Sequence, residues 1–383
     1  MTLDQFRARF PILGRRVYVN SCSQGALSLE VAAALQAFVE SWHAGGSPWD
    51  RWIDEVERLR SAVAASIGAA ADEIAVMPSA STAIAAVATA LPFDTTRRRV
   101  VLGDFEFPTM AHGWLAQERR GAVIAGVPAR GDLLALDDYA ARIDDATAIV
   151  PAAHVCFRNG CRLDIGGLAA LCRERGALCM IDDYQHTGTA PLDVHALGVD
   201  VLVTGSLKYL LGPSGIAFLY VRRPLIERLE PLTTGWFGRI DPFAFALGPL
   251  DWATTARRFE AGSPPVPNAY AAAAGLDLLQ RVGASVVEAQ VARLTARMID
   301  GARARGFAVA TPADPAMRGP LVVVRATDAA ALAARLAARG IIASARGTGL
   351  RVSFHAYNDD GDVDAVLAAL EAEAGLVVRA DAS

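Results

Sequence analysis

Seven short apolar runs alternate with longer amphipathic stretches between about residues 61 and 221. The runs lack a regular alternation with polar residues, which is typical of strands that are buried on both faces. The stretches between them, such as LAALCRERG at 168–176, repeat apolar residues at helical spacing. This order predicts a doubly wound α/β domain with a mainly parallel, seven-stranded sheet. The predicted strands are 74–77, 99–103, 122–127, 148–155, 177–182, 200–205 and 216–221.

The same rhythm returns on a smaller scale after a loop rich in Pro and Gly at 262–267. A long segment compatible with one helix, from Ala269 to about Arg305, leads out of this loop. The segments that follow predict a small αβ domain: PLVVVRA, AALAARLAARG, IIASA, LRVSF and DDGDVDAVLAALEAEAG. We expect a large domain over 20–260 and a small domain over 1–19 and 261–383, which includes the connecting helix.

Composition favours a globular protein that binds a small molecule. The chain has 383 residues, of which 53% are hydrophobic and 20% charged, an ordinary balance for a chain with large cores. A net charge of −4 provides no basic field for a polyanion, so nucleic acid is not an expected partner. The amino terminus lacks the apolar region of a secretory signal, and no apolar run has the length of a membrane span. We expect a cytoplasmic protein with no membrane partner.

The cysteines and histidines predict no metal site. The five cysteines form no CxxC pair, and the six histidines form no H-x-x-x-H pair. Reduced, mostly buried thiols are therefore expected.

Lys208 is the single lysine among 37 basic residues, and all the others are arginines. Arginine serves wherever a solvated positive charge is enough. A desolvated lysine amine, by contrast, can lose its proton and attack a carbonyl. A lone residue can survive by chance, so the surrounding sequence has to carry the prediction.

The segment before Lys208 has the residue types that pyridoxal phosphate (PLP) requires. Asp182 ends a predicted strand, where its carboxylate can pair with the pyridine nitrogen and keep the ring protonated. Gln185 can hydrogen-bond the ring oxygen, Lys208 can form an imine with the aldehyde, and Ser206 lies beside it on the chain. A turn or helix cap is the alternative for any isolated Asp. The ordered combination favours cofactor binding.

A phosphate site is predicted at the start of the helix after strand 74–77, at Ala80, Ser81 and Thr82. Free backbone N–H groups and hydroxyls at a helix start bind dianions, although the same cluster is also an ordinary N-cap. Phe107 follows a strand at a place where its ring can stack on the pyridine, which is worth about 1 kcal/mol beyond burial. The alternative for Phe107 is a core position.

Together these motifs resemble the class V aminotransferase family of fold-type I PLP-dependent enzymes, which includes cysteine desulfurases, kynureninases and isopenicillin N epimerase-like proteins. The resemblance covers nearly the whole chain. D-x-x-Q followed by S-x-K-Y-L and RFEAGSP at 258–264 carry it, and GWFGR at 235–239 is similar to the kynureninase branch. It implies the fold-type I transferase fold, PLP as cofactor, and a homodimer with shared active sites. Trp236 and Ser263 would then reach the phosphate of the neighbouring subunit.

The resemblance also implies a substrate site. RVSFHAYN at 351–358 matches the family's R-x-S-x-x-x-Y-N strand, so Arg351 would clamp the α-carboxylate of an amino-acid-like substrate with bidentate geometry. Asn20, in a segment similar to the kynureninase branch, would contact the substrate. Arg158 and Arg346 are further candidates for recognition of its side chain.

Two departures from the family leave the branch open. Leu207 stands where desulfurases carry His and kynureninases Tyr, and Gln185 stands where kynureninases carry His. We expect an aminotransferase or a lyase that catalyses β-elimination or C–C or C–S cleavage. The alternatives are a racemase or epimerase and a non-catalytic PLP-fold binding protein. An NAD-binding enzyme is disfavoured because no G-x-G-x-x-G follows an early strand.

A persulfide mechanism is not expected. Desulfurases place a nucleophilic cysteine between the small-domain strand and the carboxylate-binding arginine, but residues 341–350 contain no cysteine. Of the five cysteines, only Cys22 is a candidate to lie near the substrate.

Overall fold

The computed structural model describes residues 1–380 of the chain. No helix in that part is long and apolar enough to cross a bilayer. Its strands are β1 (Val17–Tyr18), β2 (Ile74–Met77), β3 (Arg99–Gly103), β4 (Val123–Val127), β5 (Thr147–Ala153), β6 (Leu178–Asp182), β7 (Val201–Gly205), β8 (Ala217–Val221), β9 (Leu321–Arg325), β10 (Ile341–Ile342), β11 (Ser344–Arg346) and β12 (Gly349–Ser353).

The helices alternate with these strands, and short 3₁₀ turns complete several of the connections. They are α1 (Leu3–Arg7), α2 (Leu29–Gly45), α3 (Trp49–Ser66), α4 (Ala80–Ala90), α5 (Pro108–Leu115), α6 (Leu136–Ala140), α7 (Ile165–Glu174), α8 (Val194–Leu197), α9 (Arg223–Ile226), α10 (Val266–Gln280), α11 (Ala284–Ala304), α12 (Ala329–Ala338) and α13 (Asp360–Ala372).

Strands β2 to β8 form one mainly parallel, seven-stranded sheet with the order β2-β8-β7-β6-β5-β3-β4. Only β8 runs against its neighbours β2 and β7, and the other pairs are parallel. All seven strands lie within two residues of their predicted bounds. The predicted α/β fold class is confirmed.

Both faces of this sheet are covered, which explains why its strands show no polar alternation. In β6, Cys179 and Ile181 join one hydrophobic cluster and Met180 joins the cluster on the opposite face. In β2, Ile74 and Val76 pack on the first cluster, while Ala75 and Met77 pack on the second. Each large apolar side chain buried in this way stabilises the fold by about 1.5–3 kcal/mol.

A smaller sheet with the order β11-β12-β9 is antiparallel and has its own core, to which α11 and α13 contribute. The amino-terminal strand β1 pairs in parallel with β10, so the first residues of the chain lie beside this sheet. Given this pairing, we propose to keep the predicted division, with residues 1–19 assigned to the small domain.

The predicted single helix over 269–305 is wrong in one respect, because two helices cover this range. α10 ends at Gln280 and α11 begins at Ala284. Gly283 lies between them with φ +92°, a backbone conformation that L side chains rarely adopt and that ends helical geometry. The periodicity continues across the break, which is why the sequence pattern does not reveal it.

Glu260, in the RFEAGSP segment, anchors strand β2. Its carboxylate accepts hydrogen bonds from Arg60 of α3 at 2.6 Å and from the backbone N–H of Val76 at 2.8 Å. The same guanidinium nitrogen of Arg60 donates to the carbonyl of Ile74 at 2.7 Å. Both charged side chains are buried. Since β2 leads directly into α4, this pair fixes the start of that helix.

Replacing Glu260 with Ala should lower the free energy of unfolding by about 3–5 kcal/mol, because Arg60 then remains buried without this partner. Equilibrium unfolding in denaturant measures the loss. Glu371→Ala is the matched control. It breaks the exposed pair of Arg305 and Glu371 and should cost little. Equal, small losses in the two variants would contradict an anchoring role for Glu260.

Candidate active site

A cavity of about 300 Å³ lies at the carboxyl ends of the central strands. Ala153 and Asp182 are the last residues of β5 and β6, and Lys208 follows β7 by three positions. All three line the cavity. Ligands of open α/β sheets bind at this edge, so the topology itself brings the predicted residues together.

Lys208 is held in a desolvated position. Its Nζ lies 4.4 Å from the ring centroid of Tyr184 and 5.9 Å from that of Phe107. Burial lowers the pKa of Lys208 to about 8. The charge of Asp182 opposes this shift, and the charges of Arg351 and Arg346, which also line the cavity, add to it. A fraction of the amine is therefore neutral, and nucleophilic, near neutral pH.

Asp182 lines the cavity. Its Oδ1 accepts a hydrogen bond from the backbone N–H of Tyr184 at 3.0 Å. Burial raises the pKa of Asp182, while the Tyr184 hydrogen bond and the Lys208 charge oppose the rise. A buried carboxylate of this kind is suited to pair with one cationic ring nitrogen.

Glu106, which the sequence reasoning missed, is a second buried acid near Asp182. Its Oε1 accepts the N–H of Ala153 at 3.0 Å, and its Oε2 has no hydrogen-bond partner in residues 1–380. Burial holds the pKa of Glu106 well above its usual range, and the negative charge of Asp182 adds to this. In the sequence, the available signal was a single acid between two phenylalanines, Phe105 and Phe107.

Gln185 approaches the cavity from the segment after β6. Its Nε2 donates to the carbonyl of Cys22 at 3.1 Å, and its Oε1 is buried without a hydrogen-bond partner in the described part of the chain. An unsatisfied buried acceptor costs about 1–3 kcal/mol. A bound group that carries a hydroxyl would satisfy it.

The first turn of α4 offers backbone N–H groups and hydroxyls to the cavity. Ser79, Ala80 and Ser81 line it, and the hydroxyl of Ser81 lies 2.6 Å from that of Thr109, which also lines it. Thr82 makes local hydrogen bonds, and its contact with the phosphate stays a prediction. Its N–H donates to the hydroxyl of Ser79 and its own hydroxyl donates to the Ser79 carbonyl at 2.7 Å, so Thr82 completes the N-cap while Ser79 reaches the cavity.

Phe107 lines the cavity and remains partly exposed, whereas Phe105 packs on the core.

Ser206 is buried, and its hydroxyl donates to the carbonyl of Pro213 at 2.6 Å. It is not among the described residues that line the cavity. Trp236 and Ser263 are also outside that set; Trp236 packs against Phe245 with ring centroids 5.8 Å apart. A contribution of these two residues to a neighbouring subunit stays a prediction.

Arg351 occupies the opposite wall of the cavity, on β12 of the small sheet. Only 2% of it is exposed. Its guanidinium donates to the hydroxyl of Ser344 at 3.0 and 3.2 Å and to the carbonyl of Phe157 at 3.0 Å. Within residues 1–380 it forms no ion pair. A buried charge without a counter-ion is costly, so this position is suited to an anionic ligand.

The other candidates for substrate binding separate into two groups. Arg346 lines the cavity beside Arg351. Arg158 is exposed, lies over the outer ring face of Phe157 at 5.4 Å, and is not among the described lining residues. Asn20 forms a backbone bridge to Ser353, and its Oδ1 is buried without a partner in the described residues, but it does not line the cavity there.

Two glycines allow the cavity walls to approach closely. The N–H of Gly25 donates to the carbonyl of Leu207 at 2.7 Å, and a Cβ at position 25 would lie 2.4 Å from the carbonyl oxygen of Lys208. The segment that contains Cys22 is thereby held over the site, and Cys22 lines the cavity.

A Cβ at Gly205 would lie 2.1 Å from the hydroxyl of Tyr184. Tyr184 was within the D-x-x-Q motif but not predicted as a site residue.

Comparisons with known proteins agree with this site. The model of the family described as aminotransferase class-V matches residues 18–366. The uncharacterized aminotransferase YcbU of Bacillus subtilis is 35% identical over 93% of this chain and 94% of its own length. A kynureninase of Deinococcus radiodurans is 31% identical over 96% of this chain and 92% of its own length. The apo cysteine desulfurase of Thermococcus onnurineus has the same fold, with a TM-score of 0.88, 22% identity, and coverage of 97% and 98% of the two chains.

The chain belongs to the class-V aminotransferase family. It is therefore a PLP-dependent enzyme, an aminotransferase or a lyase, as the sequence predicted. The residues present fit the cofactor: a desolvated lysine, an acid at the strand end, an unsatisfied buried amide oxygen in Gln185 and a helix start for the phosphate all lie along one cavity.

The lowered pKa of Lys208 predicts how covalent attachment of PLP depends on pH. With a pKa of about 8, roughly a tenth of the amine is neutral at pH 7 and roughly nine tenths at pH 9. The rate of attachment to cofactor-free enzyme should therefore rise roughly tenfold over this range and then level off. Stopped-flow absorbance measures the rate. A rate that continues to rise beyond pH 10 would show an ordinary lysine.

Proposed function

We propose that this enzyme acts at the α-carbon of an amino-acid-like substrate and transfers its amino group or cleaves a bond in its side chain. One observation carries the proposal. The desolvated amine of Lys208 and the carboxylate of Asp182 share a cavity with the buried guanidinium of Arg351. The first two suit a cationic, aldehyde-bearing cofactor. The guanidinium, which has no carboxylate partner within residues 1–380, suits a carboxylate.

Five positions would hold PLP. Lys208 binds its aldehyde carbon, Asp182 its ring nitrogen and Gln185 its ring hydroxyl. Phe107 stacks on the ring, and the first turn of α4, at Ala80 and Ser81, binds the phosphate. When bound, PLP supplies an electron-withdrawing ring next to the α-carbon of the substrate amine.

The chain's own residues then position the substrate and move its proton. Arg351 binds the α-carboxylate and so orients the α-hydrogen relative to Lys208. The Lys208 amine would accept this proton and return it, a task for which its pKa of about 8 is suited. Asp182 keeps the ring nitrogen protonated. Arg346 contacts the substrate's side chain from the same wall of the cavity.

The two alternatives make different demands on this site. A racemase or epimerase would use the same lysine, cofactor and carboxylate clamp, so only product analysis distinguishes it. A non-catalytic binding protein has no need for a desolvated lysine beside an acid, and family membership already shows an enzyme.

A lyase of this kind would release its product without a protein persulfide. Residues 341–350 form β10, β11 and the tight turn into β12, and contain no cysteine. Cys22 is the one cysteine among the described lining residues, and its Sγ lies 3.9 Å from the hydroxyl of Ser344. The absence of a persulfide step remains a prediction, which the product assay below includes.

We also propose a cytoplasmic homodimer in which Trp236 and Ser263 complete the neighbouring active site. An exposed apolar patch supports this proposal. It lies on the loop 239–252, which is closed at its base by Arg239 and Asp251 and leaves Leu247 fully exposed and Phe245 71% exposed. Patches of this kind mark interfaces. Trp236 packs against the same loop through Phe243 and Phe245.

The proposed activity is tested by incubating the PLP-loaded enzyme with single amino acids and identifying the products by mass spectrometry. A keto acid with pyridoxamine phosphate would establish transamination, and a keto acid with free ammonia would establish β-elimination. A shortened amino acid that keeps its α-amino group would establish cleavage of a C–C or C–S bond. Borohydride should beforehand fix the cofactor to the peptide that contains Lys208. Enzyme that remains colourless and unlabelled would refute the proposal, and cysteine converted to alanine with a persulfide on Cys22 would refute the non-persulfide route.

Arg351→Ala tests the carboxylate clamp in the same assay. Truncating one partner of a buried charge pair costs about 2–5 kcal/mol, so substrate affinity should fall roughly 30-fold or more. Arg158→Ala removes an exposed arginine near the same site and should keep KM unchanged. A normal KM in the Arg351 variant would place the clamp elsewhere, with Arg346 as the next candidate.

The dimer is tested by measuring the mass of the enzyme in solution. Wild type should have twice the chain mass of 40.3 kDa. Phe245→Asp should shift the mass towards one chain, because it places a charge in the apolar patch, and should loosen PLP retention. Val286→Asp changes an exposed apolar residue on α11 and should preserve the dimer. A monomeric wild type that binds PLP normally would contradict the shared site.

A further inference from the structure

Behind the active-site cavity, three buried side chains from two segments converge. His154 follows β5, and Asp183 and His186 follow β6. The Nδ1 of His154 lies 2.5 Å from Oδ1 of Asp183, and the Nδ1 of His186 lies 3.5 Å from Oδ2. The two imidazole rings are 4.1 Å apart, centroid to centroid. None of the three is among the described residues that line the active-site cavity.

A hydrogen-bonded network explains part of this cluster. Asp183 accepts hydrogen bonds from the Nδ1–H of His154 and from the hydroxyl of Thr187, which satisfies the carboxylate. It does not satisfy His186, whose Nδ1 is buried and without a hydrogen-bond partner in residues 1–380, although it faces the same carboxylate. Only 5% of the surface of His186 is exposed. An orphaned buried nitrogen costs about 1–3 kcal/mol, so the network leaves one group unexplained.

We propose that His154, Asp183 and His186 bind one divalent first-row metal ion, with Zn²⁺ the best fit to two imidazoles and a carboxylate. One ligand atom from each residue lies within 4.8 Å of the others. Ligands at about 2.0–2.2 Å from zinc are themselves separated by roughly 3–3.6 Å in a tetrahedral site, so small side-chain adjustments bring all three atoms onto one ion. The ion also gives the Nδ1 of His186 a partner.

Binding of the ion would change the hydrogen bonds of the cluster. Zinc binds an imidazole nitrogen that carries no proton, together with an ionised carboxylate. For Nδ1 of His154 to be a ligand, the proton of that ring has to lie on Nε2, and the bond to the ion replaces the hydrogen bond to Asp183.

A second cavity, about 590 Å³ in volume, gives access to the site. His154 and His186 both line it, so a water molecule as fourth ligand and the ion itself can enter from this side. Arg162 and Glu288 also line this cavity. The guanidinium of Arg162 donates hydrogen bonds to the carbonyls of Ala316 and Pro315. The carboxylate of Glu288 offsets the positive charge of Arg162 that an incoming cation would meet.

An ion at this position would stabilise rather than react. It would link the ends of β5 and β6 directly behind Asp182, which is adjacent to Asp183 in the chain. The sequence predicted no metal site, because 29 positions separate His154 from Asp183 and no two histidines have ligand spacing.

The test is equilibrium dialysis of the chelator-treated, PLP-loaded full chain against Zn²⁺, with metal analysis of both sides. Wild type should bind one Zn²⁺ per chain and gain thermal stability as it does so. His186→Gln should bind at least about tenfold more weakly and lose the thermal shift. His43→Gln changes an exposed histidine on α2 and should behave as wild type. His154→Gln is the second variant if His186→Gln does not fold.

The outcomes separate a metal site from a hydrogen-bonded network. A wild-type chain that binds no Zn²⁺ would overturn the proposal. So would a folded His186→Gln chain that binds Zn²⁺ as tightly as wild type, since the ion would then lie elsewhere. PLP absorbance, recorded on every sample, reports the active site independently, so a failure of the proposed function and a failure of the metal site are distinguishable.

Discussion

The desolvation of Lys208 is the constraint on which the active site depends. An amine removed from water is costly as a cation, and here Asp182 offsets only part of that cost, which leaves the pKa near 8. Both groups are held at one edge of the sheet by strands β6 and β7, whose other residues are buried. The reactivity of the amine is therefore a consequence of the sheet's packing.

That packing depends on covering the sheet from both sides. Two apolar clusters cover the strands, and the Arg60–Glu260 pair attaches the edge strand β2. This strand leads into the turn of α4 that we propose binds the phosphate. At the opposite side of the cavity, Gly25 allows the amino-terminal segment to approach the Lys208 backbone. The site is thus built from segments far apart in the chain but supported by a single core.

In the proposed mode of binding, the substrate's carboxylate would connect the two sheets. Lys208 and Asp182 belong to the large sheet, whereas Arg351 lies on β12 of the small sheet, and β1 joins the chain's beginning to that same region. A substrate bound to Arg351 and the cofactor would bridge both units and add interactions that neither unit makes alone. This arrangement places the costly buried guanidinium where a bound anion would compensate its charge.

The sequence by itself determined the seven strands, the fold class, the single lysine and its partners Asp182 and Gln185, because local periodicity and motif order are properties of contiguous residues. Only the tertiary structure decided which of the other candidates meet. It placed Arg346 in the cavity and Arg158 outside it, directed the hydroxyls of Thr82 and Ser206 to local backbone carbonyls, and broke the predicted long helix at Gly283.

It also brought Cys22, Tyr184 and Thr109 into the cavity, buried Glu106 behind Asp182, and assembled His154 with Asp183 and His186. These residues carry no local signal, because their proximity arises from strand order in the sheet and from loops that cross it. Side-chain direction and burial follow from packing between distant segments, which a linear pattern does not contain.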